Sequence, residues 1–204
     1  NVDKNRTVFV NDENGYNGKM TVDTLIPKAD NTKIKVIGGE GQTAWVDGTD
    51  YAANITLDKN LTHEAQGWRI EISPEKASAK DYFLNVIQVN DADGETEVYT
   101  PELIETQSCV GAVINNKVTL FKTDYGRSTN EVSFTLGDGE YDIHIADNTA
   151  GEWIIYKNDE IFKRETATEE GGVLSFNGSG GSYRAVFSDN EPKEREIADD
   201  TETE

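Results

Sequence analysis

Apolar and polar side chains alternate with a period of two along most of this chain. The clearest segments are RTVFV (6–10), KMTVDTLI (19–26), KIKVIG (33–38), TAWVDG (43–48), YAANITL (51–57), WRIEIS (68–73) and DYFLNVIQV (81–89). Period two places successive side chains on opposite faces of a strand, and no segment holds the 3.6-residue period of an amphipathic helix. Further along, the pattern predicts four turn-linked strand pairs. These are 108–114 with 117–121 across Asn115-Asn116, and 131–136 with 140–146 across Gly-Asp-Gly. Then come 152–156 with 161–165 across KNDE, and 172–176 with 182–188 across NGSGG. Gly, Asn and Asp punctuate the segments, so the fold class is all-β, an antiparallel β-sandwich of jelly-roll or Greek-key type. DYFLNVIQV is apolar on both faces, which predicts a central strand covered on two sides. Trp68 opens an alternating strand and is expected to pack inward with the isoleucines, leaving Arg69 and Glu71 together on the outer face.

A seam falls in YTPELIETQ (99–107), where Pro101 interrupts pairing. It divides the chain into a sandwich portion over 1–105 and a smaller sandwich over 106–188. The last segment, 189–204, is rich in acids and has no aromatic residue. It buries too little to offset its ordering entropy and is expected to be disordered.

Composition narrows the partners. The 204 residues hold 39 acids against 19 Lys and Arg, a net charge of -20. Such a surface repels nucleic acid and anionic membranes. No apolar run approaches the ~18 residues of a membrane-spanning helix. The start at Asn1, with no charged-then-apolar leader, reads as a trimmed product. Cys109 is the single cysteine, so no internal disulfide forms, and SCVGAVI marks it as a buried small hydrophobe.

Little here has the spacing of a reaction centre, and no catalytic residue is assigned. His144, between Ile143 and Ile145, belongs to the outer face of its strand, and Tyr141, three residues away, to the opposite face. His63 lies in a loop beside Glu64 with no second His at ligand spacing. Asp91, Asp93 and Glu95 in NDADGETE offer oxygen at alternate positions, a candidate calcium loop that lacks the full spacing of a twelve-residue hand. Trp45, Tyr51, Tyr125 and Trp153 are candidates for stacking on the apolar face of a sugar ring, set against core roles for tryptophans at strand starts.

Two longer passages carry a resemblance. GKMTVDTLIPKADNTKIKVIGGEGQTAWVDGTDY (18–51) resembles a passage of heparinase II/III-like polysaccharide lyases in which a strand ending in TLLP leads to a GG-x-G turn and a WVDG hairpin. GWRIEISPEKASAKDYFLNVIQV (67–89) is similar to the passage that follows it there. VGAVINNKVTLF, GEYDIHIAD, GVLSF and GSYRAVF resemble the closing small sandwich of that family, in the same order. The resemblance implies a parent with a helical toroid, a large β-sandwich and a small C-terminal one, cleaving uronic-acid glycans by β-elimination. Much of that chemistry belongs to the toroid, for which this chain has no helical pattern, and no residue here matches a catalytic position. The expectation is a non-catalytic β-sandwich module that supports the catalytic domain or the substrate cleft. A free-standing carbohydrate-binding module is the alternative, and a lyase active by itself ranks last. The expected partners are a polysaccharide or the missing catalytic domain, and the expected location is secreted or periplasmic, in a bacterium.

Overall fold

A computed structural model of the chain describes residues 2–12, 15–39, 42, 44–51, 68–94, 96–124 and 126–190. Residues 52–57 of the predicted strand at 51–57, His63 and the 191–204 part of the predicted tail lie outside these residues. The chain divides into two compact units, Asn1–Val98 and Tyr99–Glu204.

The first unit contains β1 (Val2–Asp3), β2 (Arg6–Asn11), β3 (Gly18–Ile26), β4 (Thr32–Ile37), β5 (Trp45–Val46), β6 (Thr49–Asp50), β7 (Arg69–Pro74) and β8 (Leu84–Asp91). Four of them form an antiparallel sheet in the order β1-β2-β3-β8, while β4 pairs with β7 and β5 with β6. Asp47 and Gly48 join β5 to β6, both at positive φ (46° and 83°), as a two-residue hairpin whose twist matches its strands requires.

The middle of β3 is buried from Thr21 to Thr24 and carries more hydroxyl and carboxylate than hydrocarbon. Those groups find partners across the sheet. The Arg6 guanidinium donates to both Asp23 carboxylate oxygens, at 2.6 and 3.0 Å, from the directly opposed position on β2. Thr24 Oγ1 donates to Asn85 Oδ1 at 2.9 Å. A planar fork on a carboxylate is the strongest of the ordinary polar pairs, so a charge can sit in this sheet without a large penalty.

Two expectations fail in this unit. DYFLNVIQV is not a central strand covered on both sides. Among the described residues β8 is the edge of its sheet, paired only with β3, and its exposure alternates strictly. Leu84 and Val86 are half-buried, whereas Ile87 is 59% and Val89 76% exposed. An apolar run of this length fits two covered faces as well as one covered and one bare, because periodicity reports side-chain direction and not what lies beyond it. Trp68 likewise does not pack inward and is 62% exposed, its six-membered ring lying close over Gly39. Arg69 and Glu71 do share a face, with Arg69 Nη2 donating to Glu71 Oε1 at 3.0 Å.

The second unit contains β9 (Glu102–Glu105), β10 (Cys109–Ile114), β11 (Lys117–Lys122), β12 (Val132–Ile145), β13 (Gly151–Lys157), β14 (Glu160–Ala167) and β15 (Leu174–Phe187). They form one sheet in the order β14-β13-β15-β12-β11-β10-β9, antiparallel except for the parallel pair β11–β12. β9 was not foreseen. Its pairing with β10 puts it in this unit, so the division falls before Pro101, not at about residue 105.

Of the four predicted hairpins, two form: β10–β11 across Asn115-Asn116, and β13–β14 across Asn158-Asp159. The other two do not. Residues 131–146 and 172–188 hold single fourteen-residue strands, β12 and β15, which pair with each other along their length. The register shifts between Leu136 and Glu140, and there Gly137–Gly139 of one strand lies beside Gly180-Gly181 of the other. A Cβ on Gly180 would overlap the Gly137 carbonyl. Gly139 and Gly181 hold φ of 152° and 149°, a region closed to other residues.

The paired strands thus bend together at a glycine corner, and the sheet folds over into two facing layers. One layer holds β9, β10, β11 and the adjoining halves of β12 and β15. The other holds β13, β14 and the remaining halves. Between them lies the core: Val118, Leu120, Val132, Phe134, Ile143, Ile145, Trp153, Ile155, Leu174, Phe176 and Tyr183, all nearly inaccessible. Phe134 stacks on Tyr183 with centroids 5.3 Å apart.

Candidate functional site

The residues singled out from the sequence do not assemble into one site. Trp153 is removed from the sugar-stacking set, because its indole is wholly buried and its Nε1 donates to the Thr149 carbonyl at 3.0 Å. Tyr125 and Glu95 lie outside the described residues. Trp45 and Tyr51 flank the β5–β6 hairpin of the first unit, Trp45 half-buried and Tyr51 exposed. Arg69, the residue after Trp68, donates to the Trp45 carbonyl. Sequence pattern put Trp68 in the core, whereas its ring lies exposed beside Gly39.

Asp91 ends β8, and Asp93 sits in the following turn, where Asn17 Nδ2 donates to it at 3.1 Å. Asn17 also receives the Ala92 N–H, so it ties this turn to the start of β3. Among the described residues no three His, Cys, Asp or Glu side chains converge as a metal would need.

Three further constellations belong to the second unit. The first is a row across β11, β12 and β15 on the outer face of the sheet. His144 stands between Thr119 and Ser175, and the next row aligns Lys117, Asp142 and Asn177. His144 Nδ1 lies 2.9 Å from Ser175 Oγ, its Nε2 lies 3.3 Å from Asp142 Oδ1, and Lys117 Nζ is 3.6 Å from Asp142 Oδ2. Serine, histidine and carboxylate meet here, a contact between distant strands that sequence spacing could not reveal. A serine nucleophile needs two more things, a concavity to hold the acyl group and a pair of N–H donors for the oxyanion. This row lies on a flat strand face whose backbone groups are spent on the ladder, and Tyr141 turns to the core side.

The second is a caged lysine. Lys122 occupies the inward position after Val118 and Leu120, and it is 5% exposed. Its ammonium donates to the carbonyls of Ser128 and Asn130, each at 2.8 Å, and lies 4.3 Å from the centre of the Trp153 ring. Burial pulls its pKa down to about 8, opposed by the nearby Asp124 and Asp147 carboxylates. Asp124 accepts from Ser128 Oγ (2.7 Å) and Asn130 Nδ2 (2.9 Å), which hold its carboxyl below its ordinary range. Ser128 and Asn130 thus turn their carbonyls onto one ammonium, much as loops elsewhere turn them onto a metal ion. Cys109 is also buried, which pushes its thiol pKa up and leaves it without a nucleophilic thiolate.

The third is a groove of about 550 Å³ along the open side of the sandwich. One wall is Leu103–Thr106 of β9 and the residue after it. The other is the outer side of β12, β15 and β13, bearing Ser133, Thr135, Ser182, Arg184 and Tyr156, with Asp159 at one end. The groove exists because β9 closes one layer and the first half of β12 closes the other, and these two edges are not paired.

Residues 103–186 match the family model of the heparinase II C-terminal domain. This segment is a heparinase II/III-like C-terminal region. The match runs from β9 almost to the end of β15, so it covers the folded-over sheet, its core, the caged lysine and the groove. It does not extend into the first unit. No curated protein gives a significant match to the chain. The described residues contain only two helical turns, the three-residue 3₁₀ turns Ala29–Asn31 and Ser188–Asn190.

Proposed function

We propose that this chain is a non-catalytic β-sandwich module of a heparinase II/III-like polysaccharide lyase acting on uronic-acid glycans. It supports the catalytic domain or one wall of the substrate cleft and does not itself break bonds. The observation that carries this reading is the match of residues 103–186 to the heparinase II C-terminal domain, and among the described residues no acid–base groups converge on one point. β-Elimination needs a base at the proton beside the uronate and a group that neutralises the carboxylate, both within reach of one sugar. His144 has Ser175 and Asp142 as neighbours on a flat face, while Tyr141 points to the core.

A supporting role is consistent with the apolar surface of the first unit, where Tyr82, Phe83, Ile87 and Val89 are all exposed. Of these, Ile87 and Val89 share the bare face of β8, the kind of surface that suits a contact. Export to the periplasm or medium, where such glycans are met, belongs to the same proposal.

The full chain incubated with heparin, heparan sulfate or alginate is expected to give no rise in ultraviolet absorbance from unsaturated uronate. A rise that disappears in His144→Ala would overturn the proposal.

A further inference from the structure

We propose that the groove between β9 and the outer side of β12, β15 and β13 binds an uncharged oligosaccharide. This goes beyond a supporting role and stands whether or not the chain cleaves glycans.

The lining combines donors and acceptors that the protein leaves partly unspent. Arg184 lies with its guanidinium carbon 4.1 Å from the centre of the Tyr156 ring, held as a flat plate. Nη1 donates to Glu131 Oε2 at 3.3 Å, and the remaining N–H groups have no protein acceptor among the described residues. At the other end, the Asp159 carboxylate has no donor among the described residues. Between them Thr135 Oγ1 and Ser182 Oγ lie 3.2 Å apart and can each still donate or accept. Leu103, on the facing wall, supplies an apolar side.

A ligand that satisfies this surface must donate at one point, accept at another and present a hydrocarbon face. A pyranose chain does all three. The volume lies within the range of small-molecule sites. Charge selects the class. Glu105 and Asp159 line the groove and Glu131 borders it, against the single cation Arg184, in a chain of net charge -20. A uronate would meet three carboxylates for one guanidinium, whereas a neutral sugar meets no repulsion.

The test is a backbone-amide NMR titration of the isotope-labelled full chain. The probes are neutral tetrasaccharides of glucose, xylose and mannose and, separately, tetrauronates of mannuronate and galacturonate. Saturable shifts are expected at Ser133, Thr135, Asp159 and Ser182 with at least one neutral probe and with no uronate. Tyr156→Ala and Asp159→Asn are expected to weaken that binding about tenfold each. Asn tolerates the left-handed backbone of Asp159 (φ 68°), so the second variant keeps the turn and reports on the site even if the first fails to fold. Three results would each overturn the proposal: no shifts at these amides with any neutral probe, tighter binding of a uronate, or unchanged affinity in Asp159→Asn.

Discussion

Lys122 is the residue whose role is least visible in its own neighbourhood of sequence. In KVTLFK it sits where a third inward hydrophobe belongs. Its stem completes the β11 stripe, and its ammonium reaches past the core edge to the carbonyls of the 123–130 loop. Lys122→Met keeps the stem and strands those two carbonyls, so a loss of about 1–3 kcal/mol in unfolding free energy is expected from chemical denaturation. The pH dependence has a definite sign. The folded pKa of about 8 lies below the ordinary 10.5, so between these values the unfolded chain still binds a proton that the folded chain has released. Stability from this group therefore rises with pH across that window, by up to ~1.4 kcal/mol per unit, and is flat below it. Measured as wild type minus Lys122→Met from pH 7 to 10, the difference should grow. A difference that shrinks would contradict the buried, caged ammonium.

Among single residues the tryptophans show how far local pattern reaches. Trp68 and Trp153 both open alternating strands, yet one is exposed and the other has no accessible surface. Trp153 faces the opposite layer of its own sheet and meets Phe187 edge-on with centroids 5.3 Å apart. Trp68 faces Gly39, which can fill nothing.

At the scale of elements, the glycine corner decides the architecture of the second unit. Inward positions on β12 are Val132, Phe134 and Leu136 before the corner, and Ile143 and Ile145 after it. On β15 they are Leu174 and Phe176, then Tyr183 and Ala185. On both strands the apolar phase slips by one residue across a glycine-rich stretch. A hairpin gives the same signal, because it too breaks phase at a glycine turn. The choice between reversing and bending depends on what lies beside the glycines, and here each stretch has the other. Gly180→Ala should force the Gly137 carbonyl aside and cost about 2–3 kcal/mol. Gly137→Ala, whose Cβ would meet nothing within 4 Å, should be neutral or slightly stabilising. Equal effects at the two positions, in paired thermal melts, would argue for a simple hairpin at each site.

At the scale of the molecule, the two units are built unequally. Every residue of the large apolar cluster lies between Cys109 and Ala185. The described core of the first unit is small, chiefly Val22, Ile37 and Ala44, with buried threonines and Asp23 beside it. Hydrophobic burial scales with area, and among the described residues the second unit buries the greater apolar area. Hydrogen exchange is expected to protect the amides of β11, β12 and β15 at least about tenfold more than those of β2, β3 and β8. Uniform protection would show instead that the chain opens as one cooperative body.

Alternation, turn residues and the lack of a helical period were enough, in the sequence alone, to establish the all-β class, most strand positions and the Arg69–Glu71 pair, and the motifs after Val110 carried a resemblance that the family match supports over 103–186. These are properties of one segment and its immediate neighbours. Tertiary structure alone decided that β8 is an edge, that β12 and β15 run unbroken, that Ser175 meets His144, and that a groove opens beside Arg184 and Tyr156. Each of these depends on a partner far away in the chain, and a side chain's direction, which sequence does encode, says nothing about what it will face.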